Sequence, residues 1–217
     1  MIDGVRFKVC GITSLVDAGF ADKCGADYLG FNLYPKSPRY LSLRKYTGMA
    51  KLLPPRKKVA VCVEPQSDEV TAMKAAGFDA FQIHFRPELG VPAIADWASI
   101  VGSDRLWLAP KLPVEQDVPA EWLGFAAVMM LDAYAKDKFG GTGHTSDWGK
   151  FARHREHYPQ VAWLLAGGLS PDNIGGALRA SGARFVDVNS GVESAPGVKD
   201  LAKLKQFVVN LHRARTE

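Results

Sequence analysis

The chain has 217 residues, 47% hydrophobic and 23% charged, with a formal net charge of +4. This is the composition of a soluble globular protein, long enough to bury a core without staples, and it reads as a single domain over residues 1–217. Basic residues form no stripe, "PPRKK" (54–58) being the densest run, and no apolar stretch reaches the ~18 residues of a membrane span, so neither nucleic acid nor membrane is an expected partner.

Three cysteines, Cys10, Cys24 and Cys62, are an odd number without close spacing. That argues against a disulfide framework and against a zinc site, and for a reducing cytoplasm. The opening "MIDGVRFKVCG" is interrupted by charge and has no signal-peptide core.

Eight short apolar runs follow one another: "VRFKVC" (5–10), "DYLGFNL" (27–33), "KVAVCV" (58–63), "DAFQIH" (79–84), "RLWLAPKL" (105–112), "AAVMMLDA" (126–133), "VAWLLAGG" (161–168) and "ARFVDVNS" (183–190). Their length, with β-branched and aromatic residues in several, predicts buried strands. Helix-like segments lie between them, among them 14–25, 67–77, 170–182 and 199–215, with weaker signals near 91–101 and 115–123. Several open on Ser with an acidic residue soon after and close on Gly, which are cap signals. Eight strand–helix pairs predict a compact (β/α)₈ barrel of the α/β class, slightly short of the usual ~250 residues. A doubly wound open sheet is the competing architecture, with its ligand at a topological switch point.

In a barrel, chemistry gathers where strands end. The run ends read Cys10, Asn32 with "YPKSPRY", Glu64, His84, Lys111, Asp132, Gly167–Gly168 and Asn189–Ser190–Gly191. Any one of them suits a bland strand terminus; the set does not. "AGGLSPDNI" (166–174) places two glycines before a helix start, with Ser170 as cap and Pro171 in the first turn. Gly167 and Gly168 make either a tight turn or an anion cradle, and Ser190 and Gly191 repeat the pattern after the eighth run. Two such loops in this order favour a phosphate site. Gly141, in "FGGTGHTSDW" (139–148), belongs to a third glycine-rich loop, which suits either phosphate or a flap.

Strand alternation puts Lys8 and Cys10 on one side, and likewise Gln82 with His84, Met130 with Asp132, and Asp187 with Asn189. A barrel interior holding Lys8 needs a counter-charge, and Asp187, on the neighbouring eighth strand, is the expected one. A thiol beside positive charge ionises more readily, so Cys10 is expected to be partly thiolate at neutral pH and to serve as a general base. Asp132 across the mouth would be the acid. A lone cysteine in a strand is commonly packing, which is the reading for Cys24 and Cys62; the strand-end position sets Cys10 apart.

"KVCGIT", "GADYLGFNLYPKSPRYLS" (25–42), "LDAYAKDKFGGTG" (131–143), "LAGGLSPDNI" (165–174) and "VDVNSGVESAPGVKD" (186–200) closely resemble the phosphoribosylanthranilate isomerase family of tryptophan biosynthesis. The match runs in order over nearly the whole chain. The resemblance implies a (β/α)₈ barrel and an Amadori rearrangement of N-(5-phosphoribosyl)anthranilate, a small-molecule phosphosugar, without metal or cofactor. Cys10 falls on the family's general base, Asp132 on its general acid, and Arg39 on the arginine that receives the anthranilate carboxylate. Four positions depart from the pattern: Phe85 replaces a glycine after His84, Glu64 a frequent asparagine, Ser146 an aromatic, and Asn189 a small serine. Two other readings compete: a barrel isomerase for another phosphosugar, and a non-catalytic phospholigand-binding protein. Monomer and homodimer are equally compatible with the sequence.

Overall fold

The computed structural model describes residues 1–113, 115–132 and 146–216. Eight parallel strands close into a barrel in sequence order, β1 pairing with both β2 and β8. They are β1 (Arg6–Val9), β2 (Tyr28–Asn32), β3 (Lys57–Val63), β4 (Ala80–Phe85), β5 (Leu106–Pro110), β6 (Val128–Leu131), β7 (Ala162–Leu165) and β8 (Phe185–Val188). The expected closed barrel is present, and the open sheet is not. Outside it lie α1 (Leu15–Lys23), α2 (Leu43–Met49), α3 (Ser67–Ala75), α4 (Gly90–Val101), α5 (Trp148–His157), α6 (Ile174–Ser181) and α7 (Leu201–Thr216). None of these helices is long and apolar enough to cross a membrane.

The caps are largely where the sequence puts them. The Ser14 hydroxyl accepts the Asp17 N–H at 3.1 Å, and Gly25, Gly77 and Gly182 leave their helices at positive φ. Two helix starts differ. α3 is capped by Gln66, not by a serine, through a reciprocal box with Glu69. α6 begins at Ile174, so Ser170 and Pro171 lie before the helix in a turn. There Asn173 accepts the Ser170 N–H and donates to the Gly168 carbonyl, both at 2.8 Å.

The helix expected over 115–123 is also absent. A 3-10 turn at Ala120–Phe125 stands in its place. Pro119, in the middle of that stretch, removes an N–H donor that a helix there would use. The segment is tied to α5 instead: Lys150 donates to the Pro113 carbonyl at 3.0 Å, and the Val118 N–H reaches His154 Nε2 at 3.1 Å.

Two apolar layers follow from strand alternation. Outward residues such as Phe7, Phe31, Ile83 and Val186 pack under the helices. Inward residues such as Val61, Trp107, Met130 and Leu164 fill the barrel. Tyr28, Trp107 and Phe185 plug the interior, with ring centroids 5.1–5.3 Å apart, and Arg6 lies over the Phe185 ring at 4.4 Å. These residues belong to the beginnings of their strands, so the barrel is sealed at that end and chemistry is left to the other.

Candidate active site

The interior floor of the site is ionic. Lys8 and Asp187 are register partners across the β1–β8 seam, and Lys8 Nζ meets Asp187 Oδ2 at 2.8 Å. Both are buried, so the expected pair exists and neither charge is stranded. Burial alone would lower the Lys8 ammonium, but Asp187 and Cys10 hold it above its ordinary value. Burial pushes the Asp187 carboxyl up and Lys8 opposes that; with the ammonium this close, the pair is ionised. Gly30 makes the room: a Cβ there would lie 2.9 Å from Lys8 Cε and 3.1 Å from Cys10 Sγ.

Cys10 follows β1 directly and faces the same way as Lys8, its backbone N–H bonded to the Val188 carbonyl at 2.9 Å. Its ionisation differs from the sequence expectation. Burial and the Asp187 carboxylate raise the thiol above its ordinary value, and the nearby Lys8 and Lys199 offset only part of this. The thiol is therefore held less acidic than a free cysteine, the opposite direction to that expectation. A sequence shows which charges are near a cysteine in a strand; it does not show how far the fold removes the thiol from solvent.

On β4, Gln82 and His84 share the inner face, with Nε2 atoms 2.8 Å apart. Burial, then the Lys8 charge, lowers the His84 pKa to about 3, so the ring is neutral. Between pH 6.5 and that value the unfolded chain binds a proton the native state does not, so this histidine removes stability as pH falls. The loss between pH 7 and pH 5 should be about 2 kcal/mol larger in the native protein than in His84→Gln, measured by urea unfolding at both pH values. Equal losses would mean that the imidazole is charged or exposed when folded.

Cys10, His84, Asp132 and Asp187 line one cavity of about 350 Å³, within the range of small-ligand clefts. Asp132 follows β6, whose register is fixed by the Ala166 N–H on the Leu131 carbonyl at 3.0 Å. The two glycine loops form part of the wall through Gly167, Gly168 and Ser190. Gly167 and Gly168 have φ of +88° and +63°, a conformation that suits glycine and turns the chain sharply after β7. Gly191 is not part of the cavity wall. It packs the two loops together, because a Cβ there would run into the Leu169 carbonyl oxygen. Gly141 lies outside the described residues.

Arg39 also lines the cavity, and it is more constrained than its Pro-rich loop suggests. It is 8% exposed, and its Nε and Nη2 donate to Glu193 at 2.9 and 2.7 Å. Glu193 sits on a small hairpin, β9 (Glu193–Ala195) with β10 (Val198–Lys199). From β10, Lys199 Nζ reaches Glu193 at 2.8 Å and Asn189 Oδ1 at 2.9 Å. Burial alone would raise the Glu193 carboxyl; Arg39 and Lys199 together hold it below the usual carboxylate range. Gly11, with φ of +72°, lets Arg39 pass, since a Cβ would lie 2.7 Å from its Cδ. The sequence reading missed Glu193, Lys199 and Gly30. The first two had a signal: opposite charges flank the turn in "ESAPGVK".

Three of the four departures from the family pattern find structural partners. Phe85 is buried against Trp97 and Trp122, with centroids 5.6 and 5.4 Å away, and points away from the cavity. Glu64 adopts φ of +45°, unusual for a side chain with a Cβ, and is clamped by Arg86 Nε and Nη2 at 2.8 and 2.7 Å. Asn189 holds Lys199. Ser146 is buried, its hydroxyl without a hydrogen-bond partner among the described residues. Neither Glu64 nor Lys111 lines the cavity.

Comparison with known proteins places this geometry. Residues 7–210 match the model of the family described as N-(5'-phosphoribosyl)anthranilate isomerase. The enzyme of that name from Neisseria gonorrhoeae is 35% identical over 212 residues, covering 96% of this chain and 97% of the relative. The crystal structure of the Thermus thermophilus phosphoribosyl anthranilate isomerase superposes with a TM-score of 0.78 at 30% identity, covering 96% and 99% of the two chains. Another solved phosphoribosyl anthranilate isomerase, in complex with reduced 1-(o-carboxyphenylamino)-1-deoxyribulose 5-phosphate, superposes with a TM-score of 0.73 at 29% identity, covering 95% and 98%. Matched in sequence over most of its length and in the barrel that sequence builds, the chain belongs to the N-(5'-phosphoribosyl)anthranilate isomerase family.

Proposed function

We propose that Cys10 and Asp132 are the base and acid of this isomerase. The chain is an intramolecular oxidoreductase of tryptophan biosynthesis, performing the Amadori rearrangement of N-(5-phosphoribosyl)anthranilate. Asp132 protonates the furanose ring oxygen and opens the sugar to an iminium. Cys10 removes the proton from C2, giving an enolamine, which tautomerises to the ketone 1-(2-carboxyphenylamino)-1-deoxyribulose 5-phosphate. The N–H groups of the Gly167–Gly168 and Ser190 loops hold the phosphate. Arg39 takes the anthranilate carboxylate, for which a planar guanidinium is suited.

One observation carries this reading: Cys10, Asp132, Arg39 and both glycine loops line a single cavity. The buried thiol requires deprotonation before it acts, and Lys8 beside it stabilises the thiolate that results. Three unpaired cysteines support a cytoplasmic home.

Freshly made phosphoribosylanthranilate supplies the test. Its anthranilate-type fluorescence should decay in proportion to added protein, well above spontaneous breakdown. No decay above that background would return the site to another phosphosugar or to a binding role.

A further inference from the structure

We propose that Glu193 is a positioning residue that sets the substrate carboxylate's angle of approach to Arg39. The inference rests on the reading of Arg39 given above. A guanidinium offers five N–H donors along two usable edges. Glu193 occupies the Nε–Nη2 edge, with Oε1 at 2.9 Å from Nε and Oε2 at 2.7 Å from Nη2. Nη1 has no hydrogen bond to any described residue and is not among the sealed polar atoms. A ligand carboxylate therefore meets Arg39 end-on, across Nη1 and the second hydrogen of Nη2. The side-on fork is closed to it.

Glu193 is itself held fast. Its Oε1 also accepts from Lys199 Nζ at 2.8 Å, and Lys203 Nζ donates to its backbone carbonyl at 2.7 Å. Asp17 Oδ1 accepts the Lys199 N–H at 2.8 Å, and the Thr13 hydroxyl donates to the Gly197 carbonyl at 2.6 Å. The hairpin is thus stitched to the first turn of α1 and to the loop that follows β1, the same loop whose Gly11 lets Arg39 pass. Arg39, Glu193 and Lys199 are each less than 10% exposed, so the arrangement is built into the wall and not formed by surface chance.

An amide in place of the carboxylate would set its NH₂ either at the Oε1 position, against Arg39 Nε and Lys199, or at the Oε2 position, against Arg39 Nη2, so Arg39 loses part of its fork in either orientation. Arg39 would then be free to turn.

The test compares two ligands: the reduced product analogue, and the same molecule without its ring carboxylate. In the native protein the carboxylate should tighten binding by at least roughly tenfold, as a charge-assisted hydrogen bond does. Arg39→Ala should abolish that ratio. Glu193→Gln should cut it roughly tenfold as well, with affinity for the carboxylate-free analogue shifting less than about twofold. KM should rise more than kcat falls. Glu193→Asp keeps the charge, but it is one methylene short of bridging both cations, so its ratio should fall too, by about threefold. That variant decides the matter if Glu193→Gln is isolated unfolded.

A native ratio in the folded Glu193 variants, with Arg39→Ala losing it, overturns the inference and leaves the function intact. Equal weakening of both ligands would make Glu193 a structural residue only. A native protein indifferent to the carboxylate removes the Arg39 reading and this inference with it.

Discussion

Cys10→Ala should lower kcat/KM for the rearrangement roughly a thousandfold, the scale of a lost general base. The fold should survive, since the change removes a single sulfur from the wall of an existing cavity, at a cost of about 1 kcal/mol. Affinity for the reduced product analogue should stay near native, because Arg39 and the glycine loops do not depend on the sulfur. The buried thiol adds a second signature. Burial and Asp187 raise the thiol above its ordinary value, and Asp132 must keep its proton, so the native kcat/KM should be bell-shaped in pH. The residual rate of the alanine variant should lose the limb that the thiol sets. A variant with a near-native rate would move the base elsewhere in the cavity, with the neutral His84 the next group to test.

Asp132→Asn should cost between about a hundredfold and ten-thousandfold in kcat. The amide keeps the shape of the carboxyl but has no acidic proton to give the ring oxygen. The residue sits two places beyond Met130, whose side chain is buried in the barrel interior, so the substitution leaves the packing that aims it untouched. Product-analogue binding is the control, and it should be retained. Normal turnover by this variant would assign ring opening to another acid.

Much of the fold was legible because the buried strands are short apolar runs whose order admits few topologies. The Lys8–Asp187 pair could be read from alternation and barrel closure together. What escaped is instructive in physical terms. The fifth helix failed because Pro119 removed a donor from its middle, and side chains from α5 tied the segment in its place. The start of α6 was misplaced because Asn173, not Ser170, organises the turn. Cys10 was read as more acidic than it is because desolvation depends on three-dimensional enclosure. Arg39 was read as an arginine waiting for a ligand. Its partner Glu193 lies 154 residues away, beyond any local pattern.

That last separation has a consequence for how the protein acquires its activity. The contacts that organise the site bridge the chain's extremes: 179 residues for Lys8 to Asp187, and 182 for Asp17 to Lys199. Contacts of such range form slowly, because the loop-closure entropy is spent before they return anything. During synthesis, the nascent chain carries Cys10, Arg39 and Asp132 long before it carries the residues that orient them. A growing chain thus has its reacting groups but no working site until β8 closes on β1 and the hairpin docks. Ligand binding and ring closure are then linked equilibria. Whatever binds across the seam between the first and last strands must hold it shut, so bound ligand should stabilise most the one join that no connecting loop secures.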